Sequence, residues 1–196
     1  MQHIIVGLGN TGSEYEHTPH NAGRAFVVRV SEVMGDGVWK DKKNIKSLVS
    51  IAEEAGTELL LVLPETMMNR SGYALEPLKL SGKKLERLMV VYDDIQLPLG
   101  SVKISFDRSS GGHNGLESVM KRLKTGKFLR MRIGVGPVTP GGKLKHVPDH
   151  VEYLLAPLKK RDQDLLDQAF AKGLEIIAAW LREGKEAATQ LANTKG

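Results

Sequence analysis

The chain has 196 residues, 41% of them hydrophobic, which is enough for one domain to bury a core without metal or disulfide support. It contains no cysteine, which excludes disulfide frameworks, thiolate nucleophiles and thiolate metal sites and is typical of a cytoplasmic protein. Lysine and arginine outnumber aspartate and glutamate by 28 to 23, whereas aromatic residues make up only 5%, which argues against a platform that stacks several nucleic-acid bases.

Apolar, β-branched runs predict strands, taken in chain order, at residues 4–6, 48–52, 59–63, 88–92, 102–106 and 132–135. Helical spacing of apolar residues predicts helices at 21–34, 69–80, 114–124 and about 160–183. Strands that alternate with helices indicate an α/β fold with helices on both faces of a sheet. Residues 46–63 look like a hairpin, so we expect a mixed sheet.

Residues 136–149 are rich in glycine and proline and have no sustained period. We expect a mobile loop that either covers a site as a lid or simply connects two elements. No repeat or linker divides the chain, so residues 1–196 are predicted to form a single domain. No apolar run approaches the length of a membrane span and no signal segment is apparent, so a soluble protein without membrane contact is expected.

The basic residues occur in clusters, which suits a polyanionic partner such as nucleic acid, because each neutralised phosphate releases counterions. A plain solvated basic face is the alternative. The largest cluster consists of Lys121, Arg122, Lys124, Lys127, Arg130 and Arg132.

The string GLGNTG at positions 7–12 follows an apolar run and matches the fingerprint of a dinucleotide-binding oxidoreductase. That function requires a helix directly after the last glycine. Pro19 disfavours helical geometry at Thr18, however, so the next helix is expected near residue 20 or 21. Glu32 has about the right spacing for the acidic ribose ligand but falls inside the predicted helix. The alternative is a loop that carries Asn10, Tyr15 and His20.

Amide and carboxylate side chains recur at the ends of the predicted elements, namely at Asn10, Asn69, Asp93, Asp94 and Asn114. Each alone is explained by helix capping or turn formation, but together they predict a ligand crevice at the carboxyl ends of the strands. Neighbouring strand residues face opposite sides, so we expect one aspartate to face the site and the other to support the loop.

An aspartate that contacts His20 would create a general base held by an orienting carboxylate. No serine or cysteine stands in a recognised nucleophile motif, so water is the expected nucleophile. His146 and His150 are four residues apart, but Pro148 interrupts the helix that would align them, and we expect no metal there. This set of residues is suited to hydrolysing an ester.

At these residues the chain resembles the bacterial-type peptidyl-tRNA hydrolases. The resemblance runs nearly end to end through several motifs in family order: Val6-Gly7-Leu8-Gly9-Asn10, His20-Asn21-Ala22-Gly23, Met68-Asn69 with Ser71-Gly72, Asp93-Asp94, Gly111-Gly112-His113-Asn114-Gly115-Leu116 and Arg132-Ile133-Gly134. It implies a single-domain, three-layer α/β/α sandwich with a twisted mixed β-sheet. It also implies a monomer that needs no cofactor and no metal.

The resemblance further implies the roles of the site residues. His20 would activate water, Asp93 would hold His20 in its basic form, and Asn10 would help to distinguish blocked from unblocked aminoacyl ends. The substrate would be peptidyl-tRNA, cleaved at its ester into free peptide and reusable tRNA. Its 3′ end and adjoining peptide would be bound by Tyr15, Met67, Asn69 and Asn114, with His113 in the same crevice, and its acceptor stem by Lys103 and Arg132.

Local departures from the family pattern are Thr11, Pro19, Tyr92 and Ser105, which stand where other residues are usual. They bear on tRNA affinity and loop geometry rather than on the chemistry. A further alternative is an RNA-binding module without activity, since relatives of the family act as splicing factors. The intact set of His20, Asp93 and the asparagines favours an enzyme.

Overall fold

Residues 2–194, which the computed structural model describes, contain seven strands: β1 (His3–Gly7), β2 (Lys40–Lys42), β3 (Ser47–Glu54), β4 (Thr57–Pro64), β5 (Leu88–Pro98), β6 (Val102–Phe106) and β7 (Leu129–Gly136). They form one sheet in the order β2-β3-β4-β1-β5-β7-β6. The four central strands β4, β1, β5 and β7 are parallel, whereas β2, β3 and β6 are antiparallel to their neighbours. The predicted hairpin and the mixed sheet are confirmed.

Residues 2–194 also form seven α-helices: α1 (Ala22–Met34), α2 (Gly72–Leu75), α3 (Lys83–Glu86), α4 (Asn114–Leu123), α5 (His150–Leu155), α6 (Lys160–Glu183) and α7 (Lys185–Asn193). α6 has the range expected from its apolar spacing. Within the described part of the chain, no helix is both long and apolar enough to cross a membrane.

The prediction of a continuous helix over residues 69–80 is wrong. The segment divides into a 3-10 turn at Met68–Arg70, the single turn of α2, and a second 3-10 turn at Glu76–Leu78. Pro77 has no N–H with which to continue the helical hydrogen bonds, and Lys79 takes a left-handed conformation (φ 47°) that ends the segment.

Two apolar layers cover the sheet, because successive residues of a strand point to opposite faces. On one face Ile5 packs with residues of α1, α6 and α7, including Phe26, Phe170 and Trp180. On the other face Ile4 and Val6 pack with residues of α2 and α4, including Leu75, Leu116 and Val119. The α/β/α sandwich is therefore confirmed. The strand order places the carboxyl end of β1 beside the middle of β5, where Gly7 pairs with Val91.

The first two glycines of the string at 7–12 allow a helix to pack closely. A Cβ at Gly7 would lie 2.7 Å from the carbonyl oxygen of Gly23, and one at Gly9 would lie 2.6 Å from the Cβ of Arg24. These two glycines let α1 lie directly against β1. A dinucleotide fingerprint requires an α-helix that begins directly after Gly12, but α1 begins only at Ala22. The interpretation of the string as such a fingerprint is therefore wrong.

Candidate active site

A cavity of about 490 Å³ lies between the carboxyl end of β1 and the middle of β5. Its wall combines the loop after β1, the middle of β5, the loop from residue 108 to the start of α4, and one face of α5. Of the residues predicted from sequence, the cavity is lined by Asn10, His20, Asp93, His113, Asn114 and Arg132.

His20 and Asp93 form the central pair. His20 sits in the 3-10 turn Pro19–Asn21, where the ring of Pro19 sets the first backbone angle, and Asp93 lies within β5. The Nδ1 atom of His20 is 3.1 Å from each carboxylate oxygen of Asp93, whose side chain is only 2% exposed. Because Asp93 occupies Nδ1, the nitrogen of His20 left for the cavity is Nε2.

His113 is the second histidine on Asp93. Its Nε2 lies 2.9 Å from Oδ1 of Asp93, and its Nδ1 lies 3.1 Å from the backbone nitrogen of Leu116 at the start of α4. A backbone N–H can only donate, so Nδ1 of His113 must accept and carries no proton. The proton of the neutral imidazole is then on Nε2, which donates to Asp93.

The pKa values follow from this geometry. Burial raises the pKa of the Asp93 carboxyl, but the two histidines lower it by more, to about 2, so Asp93 is ionised. Burial lowers the pKa of His20, but its hydrogen bond to Asp93 and the charge of that carboxylate outweigh burial and leave the pKa above its usual 6.5. The imidazolium of His20 is therefore stabilised when it forms.

The same three side chains have the composition of a metal site, with ligand atoms all within 4.8 Å of one another. In the structure these side chains are joined by hydrogen bonds, and each imidazole nitrogen that faces the ionised Asp93 donates to it. His146 and His150, the other pair considered, are separated by the end of the loop before α5.

Asn10 is held rigidly by Asn21, a residue that we did not single out from the sequence. Oδ1 of Asn21 accepts from the backbone nitrogen of Asn10 at 2.8 Å, and Nδ2 of Asn21 donates to the carbonyl oxygen of Asn10 at 2.9 Å. The side-chain oxygen of Asn10 accepts from the backbone nitrogen of Met68 at 2.9 Å. The amide nitrogen of Asn10 is therefore the donor that remains for a ligand. The signal in the sequence was the motif His20-Asn21-Ala22-Gly23.

The other residues assigned to substrate lie at different distances from the cavity. Asn114 opens α4, is exposed and lines the cavity. Met67 and Asn69 are exposed at the 3-10 turn that Asn10 holds through Met68, outside the cavity wall. Tyr15 is half-buried and likewise lies outside that wall.

Arg132 lines the cavity as an ion pair. Its Nη2 and Nε lie 2.7 and 2.8 Å from Oδ2 of Asp94, whose other carboxylate oxygen accepts from the backbone nitrogen of Gln96. The two aspartates have different partners, since Asp93 contacts His20, whereas Asp94 pairs with Arg132 and accepts from the backbone of Gln96. Both aspartates nevertheless line the cavity, so the expectation that only one of them faces it does not hold. Lys103 stands opposite Arg132 in the register of β6 and β7 and is not part of the cavity wall.

Arg130 is not part of a surface basic cluster, so that expectation is wrong at this residue. Its side chain is fully buried, and its guanidinium donates to the carbonyl oxygens of Ser109 (2.9 Å) and Gly126 (3.1 Å). Arg130 therefore cannot contact a phosphate. It ties the loop that precedes His113 to the end of α4.

The loop at 136–149 leads into α5, which brings His150, Val151, Leu154 and Leu155 to the cavity. Val151 is 68% exposed and Leu155 is 38% exposed, so α5 presents apolar side chains at the cavity that His20 and Asp93 also line. Tyr153 anchors this helix, since its hydroxyl donates to the carbonyl oxygen of Val135 in β7 at 2.7 Å.

The sequence matches the peptidyl-tRNA hydrolase family over residues 4–196. The peptidyl-tRNA hydrolase of Koribacter versatilis is 38% identical over 196 residues, covering 98% of this chain and 92% of the relative. That of Carboxydothermus hydrogenoformans is 38% identical over 182 residues, 92% of each chain. A crystal structure of peptidyl-tRNA hydrolase from Acinetobacter baumannii has a TM-score of 0.84 at 27% identity and covers 98% of this chain and 95% of that one.

Proposed function

The chain belongs to the peptidyl-tRNA hydrolase family and hydrolyses peptidyl-tRNA, and we propose that it does so with a water molecule activated by Nε2 of His20. The observation that carries this proposal is the contact of His20 with a buried, ionised Asp93 through Nδ1 alone. This contact leaves Nε2 free to act as the general base.

In the proposed reaction, Nε2 of His20 takes a proton from water while the water oxygen attacks the carbonyl carbon of the ester. The tetrahedral intermediate then collapses, the bond to the ribose oxygen breaks, and that oxygen receives the proton from His20. The products are a peptide with a free carboxyl group and tRNA with a free terminal hydroxyl. Asp93 stabilises the imidazolium that forms between the two proton transfers.

The amide of Asn10 is supported as a hydrogen-bond donor to a substrate carbonyl, because its oxygen is already used by Met68. We assign Asn114, which lines the same cavity, a similar contact. We assign the exposed Met67 and Asn69, with Tyr15, to the tRNA 3′ end and adjoining peptide. Recognition of a carbonyl that a free aminoacyl end lacks would give Asn10 its expected role in selecting blocked ends.

For the acceptor stem we propose contacts from Arg132 and Lys103, which face each other across β6 and β7. Arg132 shares its charge with Asp94, so it would bind phosphate as part of an ion pair. We also propose that the active unit is a monomer in the cytoplasm. We also propose that the 136–149 loop and α5 close over bound substrate.

The test is the release of N-acetylated amino acids from tRNA in the presence of a chelator. We expect His20→Ala to lose at least roughly a hundredfold in kcat/KM, because general-base catalysis contributes about that much. His17→Ala is the matched control, since His17 is exposed and lies outside the cavity wall. Release by His20→Ala at the wild-type rate, or loss of wild-type activity in the chelator, would contradict the mechanism.

A further inference from the structure

Both ring nitrogens of His113 take part in hydrogen bonds within the protein. Nδ1 caps α4 by accepting from the N–H of Leu116, and Nε2 donates to Asp93. The side chain of His113 is 9% exposed. Its ring packs edge-on against Tyr92, with centroids 4.9 Å apart, and lies 5.2 Å from the ring of His20. The ring is therefore fixed in position and in tautomer.

We propose that His113 is a positioning residue that acts on His20 through Asp93. The hydrogen bond from Nε2–H of His113 to the carboxylate of Asp93 weakens the interaction of that carboxylate with the imidazolium of His20. The imidazolium can then release its proton to the leaving oxygen. This proposal rests on the proposed role of His20 as the base. It gives His113 a place in proton transfer rather than contact with tRNA.

The direction of the effect follows from the hydrogen bonds. Asp93 accepts from two imidazoles, and a carboxylate whose charge is shared with one donor is a weaker acceptor for the other. Removing the donor of His113 would concentrate the charge of Asp93 on His20. The pKa of His20, already above its usual value, would then rise further.

Other ionisable groups surround this pair and are not altered by a substitution at residue 113. Tyr92 is adjacent on β5, and burial raises its pKa, so its phenol is neutral. Asp94 and Arg132 pair with each other on β5 and β7. Arg108 comes from the loop before His113, and His150 comes from α5.

Two substitutions each remove one of the two hydrogen bonds of the His113 side chain and keep the other. His113→Asn keeps an oxygen that can cap α4 but is too short to replace the Nε2 donor. His113→Gln supplies an amide N–H at about the position of Nε2 but gives up the Nδ1 acceptor. His17→Asn repeats the first substitution at an exposed histidine outside the cavity.

The experiment measures kcat/KM against pH together with the titration of the His20 ring nitrogens by NMR. In His113→Asn we expect the acid limb of the profile and the His20 titration to move together to higher pH, by roughly half a pH unit or more. In His113→Gln the midpoint of the His20 titration should stay near that of the wild type, whereas the temperature of thermal unfolding should fall. His17→Asn should change neither.

If His113→Asn lowers the plateau of kcat/KM but leaves the midpoint of the pH profile unchanged, the proposal is overturned, because that result would indicate a merely structural or substrate-binding role. A downward movement would also overturn it. The NMR titration follows His20 without turnover, so failure of this inference is distinguishable from failure of the proposed function, which the activity of His20→Ala decides.

Discussion

Asn21 pairs with the backbone of Asn10 through both the oxygen and the nitrogen of its side-chain amide, at 2.8 and 2.9 Å, and is itself only 3% exposed. The loop after β1 is thereby fixed to the start of α1. The side-chain oxygen of Asn10 in turn accepts from the backbone nitrogen of Met68, so Asn21 indirectly positions the 3-10 turn at Met68–Arg70 as well.

We therefore predict that Asn21→Ala lowers kcat/KM by roughly tenfold or more, because catalysis is sensitive to displacements of about 1 Å. Two buried backbone groups lose their partner, so stability should fall by roughly 2 kcal/mol. The measurements are ester release and urea unfolding. Asn44→Ala removes an exposed asparagine and should change neither quantity. Wild-type kinetics in Asn21→Ala would show that the loop holds its shape without this brace.

The buried Asp93 should make the protein sensitive to acid. Its pKa lies at about 2 in the folded chain, below the ordinary 3.8, so its stabilising contribution is complete above about pH 4 and is lost as the pH falls towards 2. The difference corresponds to roughly 2 kcal/mol. Urea unfolding of wild type and Asp93→Asn between pH 6 and 2.5 measures it, and the two curves should converge at low pH. Parallel curves would refute the assignment.

Arg130→Met should loosen the loop that carries His113. The substitution retains an apolar side chain but leaves the carbonyl oxygens of Ser109 and Gly126 without their donor. We expect a loss of roughly 2 to 4 kcal/mol in unfolding free energy and a higher KM. The matched control is Arg29→Met, which removes an exposed arginine paired only with Glu32 and should cost little. Equal effects of the two changes would contradict the anchoring role.

Gly23→Ala should destabilise the fold, because the added Cβ would lie 2.4 Å from the carbonyl oxygen of Val91 and 2.9 Å from that of Leu8. Both obstacles are backbone atoms, so α1 must move away from the sheet at a cost of roughly 1 to 3 kcal/mol. Thermal unfolding measures the effect. Gly141→Ala places its Cβ 3.8 Å from the nearest atom and should be tolerated. An unchanged unfolding temperature in Gly23→Ala would mean that the helix can shift freely.

The sequence by itself determined the periodic elements and the set of chemical groups. The apolar run of β1, the helical spacing in α1 and α6, and the turn between β3 and β4 depend on neighbours along the chain, so they could be predicted locally. The segment 69–80 could not, because Pro77 and Lys79 break a pattern that apolar spacing alone suggests. The family motifs, in turn, indicated His20, Asp93 and Asn10 before any contact was known.

Only the tertiary structure decided which of these groups meet. His20 and Asp93 are 73 residues apart, and their contact depends on β5 lying next to β1 in the sheet. The choice of Asp93 over Asp94 depends on which face of β5 points to the 3-10 turn. The second hydrogen bond of His113 and the burial of Arg130 have the same origin, because strand order and register are set by packing of the whole sheet rather than by any stretch of sequence.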